Sequence, residues 1–222
     1  MTRSGGTRLA ILLASIHFAF AAAGASAQTF VAVAAGASTQ GEGASDLPYL
    51  GPPFGGTSAA IIVSVDRAAA RNVALGGEVS LAGAIAGAQS QRAPGGSNSF
   101  VSEHRDTVFS GVAKIGTPLD APVHLAFVAG GGVAQRHTVR TGAFNPDFGL
   151  RPSTLFAETL TDWVPAFTVG LDLGVALAHH VGIVGAARVH ALKDDDRLPD
   201  GVVKRGVSSA VVRIGGGVLL TF

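Results

Sequence analysis

A strict two-residue alternation of apolar with small or polar residues limits this chain to β-structure along much of its length. Residues 163–177 read WVPAFTVGLDLGVAL. From Trp163 to Leu177 the odd-numbered positions are apolar and mostly large, whereas the even-numbered positions are mostly small or polar and include Asp172. Successive side chains of a β-strand point to opposite sides. The segment is therefore expected to be a strand with one apolar face and one face that carries a charge.

The same alternation recurs throughout the chain and predicts eight strands. They are expected at 28–38, 57–66, 73–89, 103–115, 122–139, 162–177, 181–191 and 206–222. Long polar or Gly/Pro-rich loops are expected at 39–56, 90–102, 140–161 and 192–205, and short turns near 67–72, 116–121 and 178–180. An even strand number with long loops alternating with short turns is typical of an up-and-down antiparallel barrel. Within strand 73–89 the alternation assigns Leu75, Val79, Leu81 and Ile85 to the apolar face.

The size of the alternating residues decides which face of such a barrel is wet. The lumen of an eight-stranded barrel is just wide enough for side chains to fill. With the large apolar residues inside, the outer surface would consist of Gly, Ala and Ser, and only 14% of the chain is charged, against roughly 25–35% on soluble surfaces. The inverted arrangement removes this conflict. The expected fold class is all-β: an eight-stranded antiparallel up-and-down transmembrane β-barrel.

The N-terminal segment has the three parts of an export signal. Arg3 and Arg8 precede an apolar stretch at 9–23, and the small residues of the sequence ASAQ follow. An N-terminal membrane helix is the alternative, but the apolar run falls short of the roughly 20 residues that a span needs. We expect a cleaved signal peptide at 1–27 and one outer-membrane barrel domain at 28–222.

Five charged residues are expected to face the lumen and to form an ion-pair network. They are Glu78, Lys114, Asp172, Arg188 and Arg213, and His124 and His190 are two further candidates. Buried lone charges are costly, so these groups are expected to pair with one another. A structural network is one interpretation. The other is a gate in which alternative pairings open a narrow water path.

The other sequence features do not indicate nucleic-acid binding, a metal site or catalysis. The chain has no cysteine and a formal net charge of +1, and it lacks the clustered basic patch that nucleic acid would require. The adjacent His179 and His180 lack a third ligand, and the KDDDR sequence at 193–197 lacks the spacing of a calcium loop. No histidine begins the His-x-Ser-Asn sequence of outer-membrane deacylases. We therefore predict no metal site, no cofactor and no enzymatic activity.

The C-terminal sequence GGGVLLTF is the most specific local element. Gly217, Leu220 and Phe222 match the last three elements of an assembly signal, although Gly215 stands where a polar residue is usual. On this signal and the strand pattern, residues 28–222 resemble the small eight-stranded outer-membrane β-barrels of Gram-negative bacteria, the OmpA/OmpX-like class. The resemblance implies recognition by the barrel-assembly machinery and contact with outer-membrane lipid and lipopolysaccharide.

The sequence favours the first of three candidate functions, and the other two are alternatives. The first is a non-enzymatic structural or surface-interaction role through four long extracellular loops, because recognition is commonly carried by loops on a rigid scaffold. The aromatic loop residues Tyr49, Phe54, Phe144 and Phe148 would either contact an unknown surface ligand or pack on one another. The second is a narrow gated pore for small solutes. The third is a lipid-modifying enzyme.

Overall fold

The structure, a computed structural model, describes residues 28–40, 56–93, 96–146, 154–193 and 209–222. Nine strands occur in these residues. They are β1 (Thr29–Gln40), β2 (Gly56–Ala70), β3 (Val73–Ala82), β4 (Ile85–Ala93), β5 (Gly96–Gly116), β6 (Val123–Pro146), β7 (Thr154–Ala178), β8 (Val181–Leu192) and β9 (Ser209–Thr221). No helix of this part of the chain is long and apolar enough to cross a membrane. The predicted signal peptide at 1–27 lies outside the described residues.

The strands form one closed antiparallel sheet. Going round the ring, the order is β1, β2, β3, β5, β6, β7, β8 and β9, and β9 pairs again with β1. Strands β3 and β4 share one position, because both pair with β5. The described strands therefore occupy eight positions in the ring, and the predicted all-β, eight-stranded antiparallel barrel is confirmed.

The two ends of the barrel differ in their connections. Residues 71–72, 117–122 and 179–180 join neighbouring strands at what we call the short-turn end. The first and last strands also meet there, since the backbone N–H of Thr29 donates to the carbonyl of Phe222 at 3.0 Å and that of Phe222 donates back at 2.9 Å. We call the opposite end the loop end.

Three strands extend well beyond their predicted bounds towards the loop end. Strands β5, β6 and β7 have 21, 24 and 25 residues, whereas a membrane-spanning strand needs about 9–11. Beyond the end of β8, residues 85–93, 96–104, 138–146 and 154–162 continue as a four-stranded sheet, which we call the extension.

The extension corrects two of the predicted loops, 90–102 and 140–161, because most of their described residues belong to strands. Their sequences lack a sustained alternation of apolar and polar residues, and that alternation was the only signal by which the sequence could predict a strand. Pro165 marks where β7 leaves the ring: β8 ends opposite Ala166, and proline is tolerated where a strand becomes an edge.

A β-bulge separates β3 from β4. Leu81 pairs with Thr107, and Ile85 pairs with His104, so four steps along one strand oppose three along β5. The extra residue reverses which positions point inward. The assignment of Ile85 to the outer face is therefore wrong: its side chain is buried, with 8% of its surface exposed. The alternation continues unbroken through the sequence, so only the pairing reveals the bulge.

The outer surface of the ring is apolar. On β7, Trp163, Phe167 and Leu171 are at least half exposed, whereas Thr168 and Asp172 point inward and are buried. The same holds on other strands, where exposed large apolar residues include Leu75, Ile115, Leu125, Phe127, Ile183, Ile214 and Phe222. The structure thus places charged residues inside and large apolar residues outside, which is the reverse of a soluble barrel.

Candidate functional site

The centre of the lumen contains a lysine held between two aspartates. The Lys114 ammonium lies 2.7 Å from one oxygen of Asp66 and 2.7 Å from one oxygen of Asp172. It also donates a hydrogen bond of 3.1 Å to the hydroxyl of Ser64, which in turn donates to Asp66 at 3.0 Å. All four side chains are buried. Lys114 therefore links β2, β5 and β7 across the interior.

An arginine continues this chain of ion pairs. Arg188 donates to both carboxylate oxygens of Glu78, with Nε at 3.0 and 2.9 Å and Nη2 at 2.7 Å. Its Nη1 lies 2.7 Å from the second oxygen of Asp172. Nη1 also donates to the backbone carbonyls of Leu171 and Ala187, each at 3.1 Å. The guanidinium is thus surrounded by acceptors, as a buried arginine requires.

The resulting network runs through five side chains from five strands. We call it the central network; its members are Asp66, Lys114, Asp172, Arg188 and Glu78. Three carboxylates face two cations, and every member is buried. Desolvation of so many charges offsets much of their attraction, so the central network fixes which strands meet more than it adds to stability.

Arg213 is buried beside the central network and is held in a different way. It donates to the carbonyl and hydroxyl oxygens of Ser80 at 2.6 and 2.7 Å, to the hydroxyl of Ser38 at 3.4 Å and to the carbonyl of Asp106 at 3.1 Å. These acceptors are uncharged. Arg213 lies directly opposite Arg188 in the β8–β9 pairing. The structure therefore brings four of the five predicted residues into one chain of ion pairs and places the fifth against neutral oxygens.

The two further candidate histidines, His190 and His124, have different environments. His190 is fully buried, and its Nδ1 lies 3.0 Å from the hydroxyl of Thr168. That hydroxyl lies 2.8 Å from the hydroxyl of Ser110, which continues the hydrogen-bonded chain across the lumen. His124 lies nearer the short-turn end and is only half-buried. Its ring occupies the space that a side chain at Gly174 would need.

A second polar group lies nearer the loop end and was missed by the sequence reasoning. His104 Nε2 lies 3.1 Å from a carboxylate oxygen of Asp106, and Nδ1 lies 3.1 Å from the hydroxyl of Thr138. Arg136 approaches the other oxygen of Asp106 at 3.5 Å. We call His104, Asp106, Thr138 and Arg136 the mouth cluster.

A sequence signal for the missed residues existed. Asp66 has the same parity as the inward-facing Ser64, and His104 and Asp106 have the same parity as Lys114 on their own strand. Extending each strand from its known inward residue would have found all three. Their partners could not have been found in this way, because the partners lie on strands that are distant in the sequence.

Apolar layers lie between the polar groups along the barrel, and Arg213 links the two sides of one layer by donating to the carbonyl of Asp106. Near the short-turn end, Phe30, Ala32, Val184 and Leu219 pack together, and Leu119 from the 117–122 turn packs against them. Between the central network and the loop end lies a second cluster, formed by Val108, Ala134, Val164, Ala166, Leu192 and Val211. The described part of the lumen is therefore filled by alternating apolar and polar side chains.

The remaining sequence features are the adjacent histidines, the KDDDR sequence and the aromatic loop residues. The ring centroids of His179 and His180 are 5.3 Å apart. The Nδ1 atom of His180 forms a hydrogen bond of 2.9 Å with the backbone carbonyl of Thr221. Among the described residues, no group of three or more His, Cys, Asp or Glu side chains is arranged to hold a metal ion. Residues 194–197 of the KDDDR sequence lie outside the described residues, as do Tyr49, Phe54 and Phe148.

The predicted assembly-signal residues all lie on β9 or directly after it. Leu220 and Phe222 point outward, and Phe222 is 71% exposed. Gly217 points inward, where a Cβ atom would overlap the backbone carbonyl of Val33 on β1. In the folded barrel Gly217 therefore permits close approach of the strands that close the ring.

No protein-family model matches the chain, and no curated protein matches it. Several solved structures are similar. Neisserial surface protein A is 11% identical, with 88% of this chain and 99% of that chain covered and a TM-score of 0.42. The attachment invasion locus protein Ail of Yersinia pestis is 12% identical, with 88% of this chain and 98% of that chain covered and a TM-score of 0.45. A major outer membrane protein from Thermus thermophilus is 14% identical, with 88% of this chain and 99% of that chain covered and a TM-score of 0.46. At these values the similarity carries no argument about function.

Proposed function

We propose that this protein is a non-enzymatic outer-membrane barrel that serves a structural or surface-interaction role. The observation that carries the proposal is the distribution of side chains in the closed ring, with charges inside and large apolar residues outside. A closed barrel satisfies its backbone hydrogen bonds internally, as lipid requires. The short-turn end then faces the periplasm and the loop end faces outward, in keeping with the turn and loop lengths of this class.

The filled lumen supports a structural role over a gated pore. Arg188, Arg213 and His190 are fully buried, and an apolar layer lies on either side of the central network. Opening a water path would require separating ion pairs at 2.7 Å and also displacing both apolar layers. A gate formed by the charges alone would leave those layers in place.

The extension supports a surface-interaction role. It carries strands β4 to β7 beyond the ring, so its exposed residues, including Val101 and Leu155, are presented on a rigid sheet. A rigid platform needs less ordering on binding than a flexible loop does.

Four measurements test this proposal. A refolded barrel should migrate faster in unboiled gels than after boiling, and it should float with membranes of the outer-membrane fraction. In planar lipid bilayers the refolded protein should show no discrete conductance steps. A soluble fractionation would refute the membrane assignment, and discrete conductance steps would favour the pore. Insertion in cells should depend on the barrel-assembly machinery, which depletion of that machinery would reveal.

One observation favours a hydrolytic function as a second candidate. In the mouth cluster, Thr138, His104 and Asp106 form a hydroxyl–imidazole–carboxylate series with two contacts of 3.1 Å, an arrangement that can activate a nucleophile. Thr138 lies within a regular strand paired on both sides, however, so its backbone offers no convergent pair of donors for an oxyanion. Mass spectrometry of lipid A from cells with and without the protein tests this candidate, which fails if the acyl pattern is unchanged.

A further inference from the structure

An outward-facing polar row lies directly beyond the aromatic residues near the loop end. The rings of Phe109 and Trp163 contact each other on the outer surface, with centroids 5.9 Å apart. Further along the same strands, Arg105 pairs with His137, and His137 pairs with Thr161. Arg105 points outward because its neighbours Asp106 and His104 point inward and are buried.

The position of this row relative to the apolar surface defines its surroundings in a membrane. Towards the short-turn end, the outer surface of β7 continues with Phe167, Leu171 and Leu173, all at least half exposed. Aromatic residues mark the boundary between hydrocarbon and headgroups. Arg105 and His137 therefore lie at the depth of the lipid headgroups, on the side that the proposed function assigns to the outer leaflet.

The chemistry of the row suits a phosphate group. A guanidinium presents a planar set of donors that matches phosphate oxygens. The Nδ1 atom of His137 lies 3.0 Å from the hydroxyl of Thr161, which orients the imidazole on the outer face beside Arg105. The nearest outward-facing carboxylate along β5 is Glu103, two residues farther from the aromatic pair. Asp162 follows Thr161 on β7 and is paired in register with Arg136.

We propose that Arg105 and His137 bind the phosphate group of an outer-leaflet glycolipid of the lipid A type, while its acyl chains lie against Phe109 and Trp163. The inference rests on the proposed outer-membrane function. Charge complementarity selects this occupant, because an uncharged lipid would leave Arg105 without an anionic partner on the lipid side. Each basic residue near an anionic lipid surface contributes about 1 kcal/mol, which corresponds to about fivefold in binding.

The single tryptophan of the chain provides the assay. The full-length mature protein is refolded into phosphatidylcholine vesicles whose brominated acyl chains quench Trp163. Lipid A is then titrated in, and its displacement of the brominated lipid restores the fluorescence. We expect bisphosphorylated lipid A to restore fluorescence at a lower mole fraction than the same lipid A with its phosphates removed.

Three variants make the test specific. Arg105→Gln should raise the required mole fraction of lipid A about fivefold, and Glu103→Gln should lower it. Arg71→Gln removes an arginine that is 78% exposed at the short-turn end and should leave the titration unchanged. The proposal is overturned if Arg105→Gln titrates like the unaltered protein, or if removal of the phosphates has no effect. Failure of the proposed function looks different: brominated lipid would then quench Trp163 in none of the samples.

Discussion

The contact between Arg188 and Glu78 permits a quantitative test of the central network. Both side chains are only 1% exposed, and three donor–acceptor contacts of 2.7 to 3.0 Å join them. Removing one member of a buried ion pair costs about 3–5 kcal/mol, because the remaining charge is left buried without its partner. Arg188→Met and Glu78→Leu should therefore both lower the free energy of unfolding substantially.

The structure predicts that the two single substitutions differ in cost. Arg188→Met leaves the Glu78 carboxylate without its cation, so its cost should be at the upper limit, about 5 kcal/mol. Glu78→Leu leaves Arg188 still 2.7 Å from Asp172, so its cost should be nearer to about 3 kcal/mol. The double variant removes both charges and should cost no more than Arg188→Met alone. The coupling energy is then about 3 kcal/mol, at the upper end of values for contacting residues.

Urea unfolding of the refolded barrel in phosphatidylcholine vesicles measures these free energies. Trp163 reports the transition, because it is the only tryptophan and is 52% exposed on the outer surface. A matched cycle uses Arg71→Met and Asp120→Asn, whose side chains are 78% and 68% exposed and 3.8 Å apart. Its coupling should be close to zero, as for exposed pairs generally. Additive costs of the two substitutions in the Arg188–Glu78 cycle would contradict this prediction.

Three further substitutions or deletions have expected outcomes. Gly217→Ala should lower the free energy of unfolding by about 1–3 kcal/mol, because the added Cβ would meet the carbonyl of Val33. Gly216 points outward, and the atom nearest to an added Cβ is 3.8 Å away, so Gly216→Ala should unfold like the parent protein in the same urea assay. Deletion of Phe222 should lower the amount of folded barrel in the outer membrane, and unchanged levels in fractionated cells would contradict the assembly-signal assignment. In folded barrels, Ile85→Cys should resist a lipid-soluble maleimide that labels Leu81→Cys, and equal labelling would contradict the bulge between them.

Much of the barrel was predictable because strand alternation is a local property. The inward position of Lys114, Asp172 and Arg188 follows from residues one or two positions away, and the number of strands follows from counting such segments. The extension was not predictable in this way. Its strands mix polar residues with scattered apolar ones such as Val101 and Leu155, without a sustained alternation, and their pairing joins segments that are distant in the sequence.

The predicted site residues show the same division. The sequence placed Arg213 with the other lumen charges, and its burial agrees with its parity. Its partners are a serine on β3, a serine on β1 and a carbonyl on β5, and no local pattern links those positions. The mouth cluster likewise joins β5 to β6 through side chains 34 residues apart in the case of His104 and Thr138.

The local sequence is enough to specify an inverted, eight-stranded barrel, because the parity of the residues fixes the face of each strand. Which charges meet depends on the folded chain. Glu78 and Arg188 are 110 residues apart, and their contact depends on the register of every strand between them and on closure of the ring. The tertiary structure also decided the side on which Ile85 lies, because one extra residue in the β3–β4 pairing with β5 reverses the parity of all that follows.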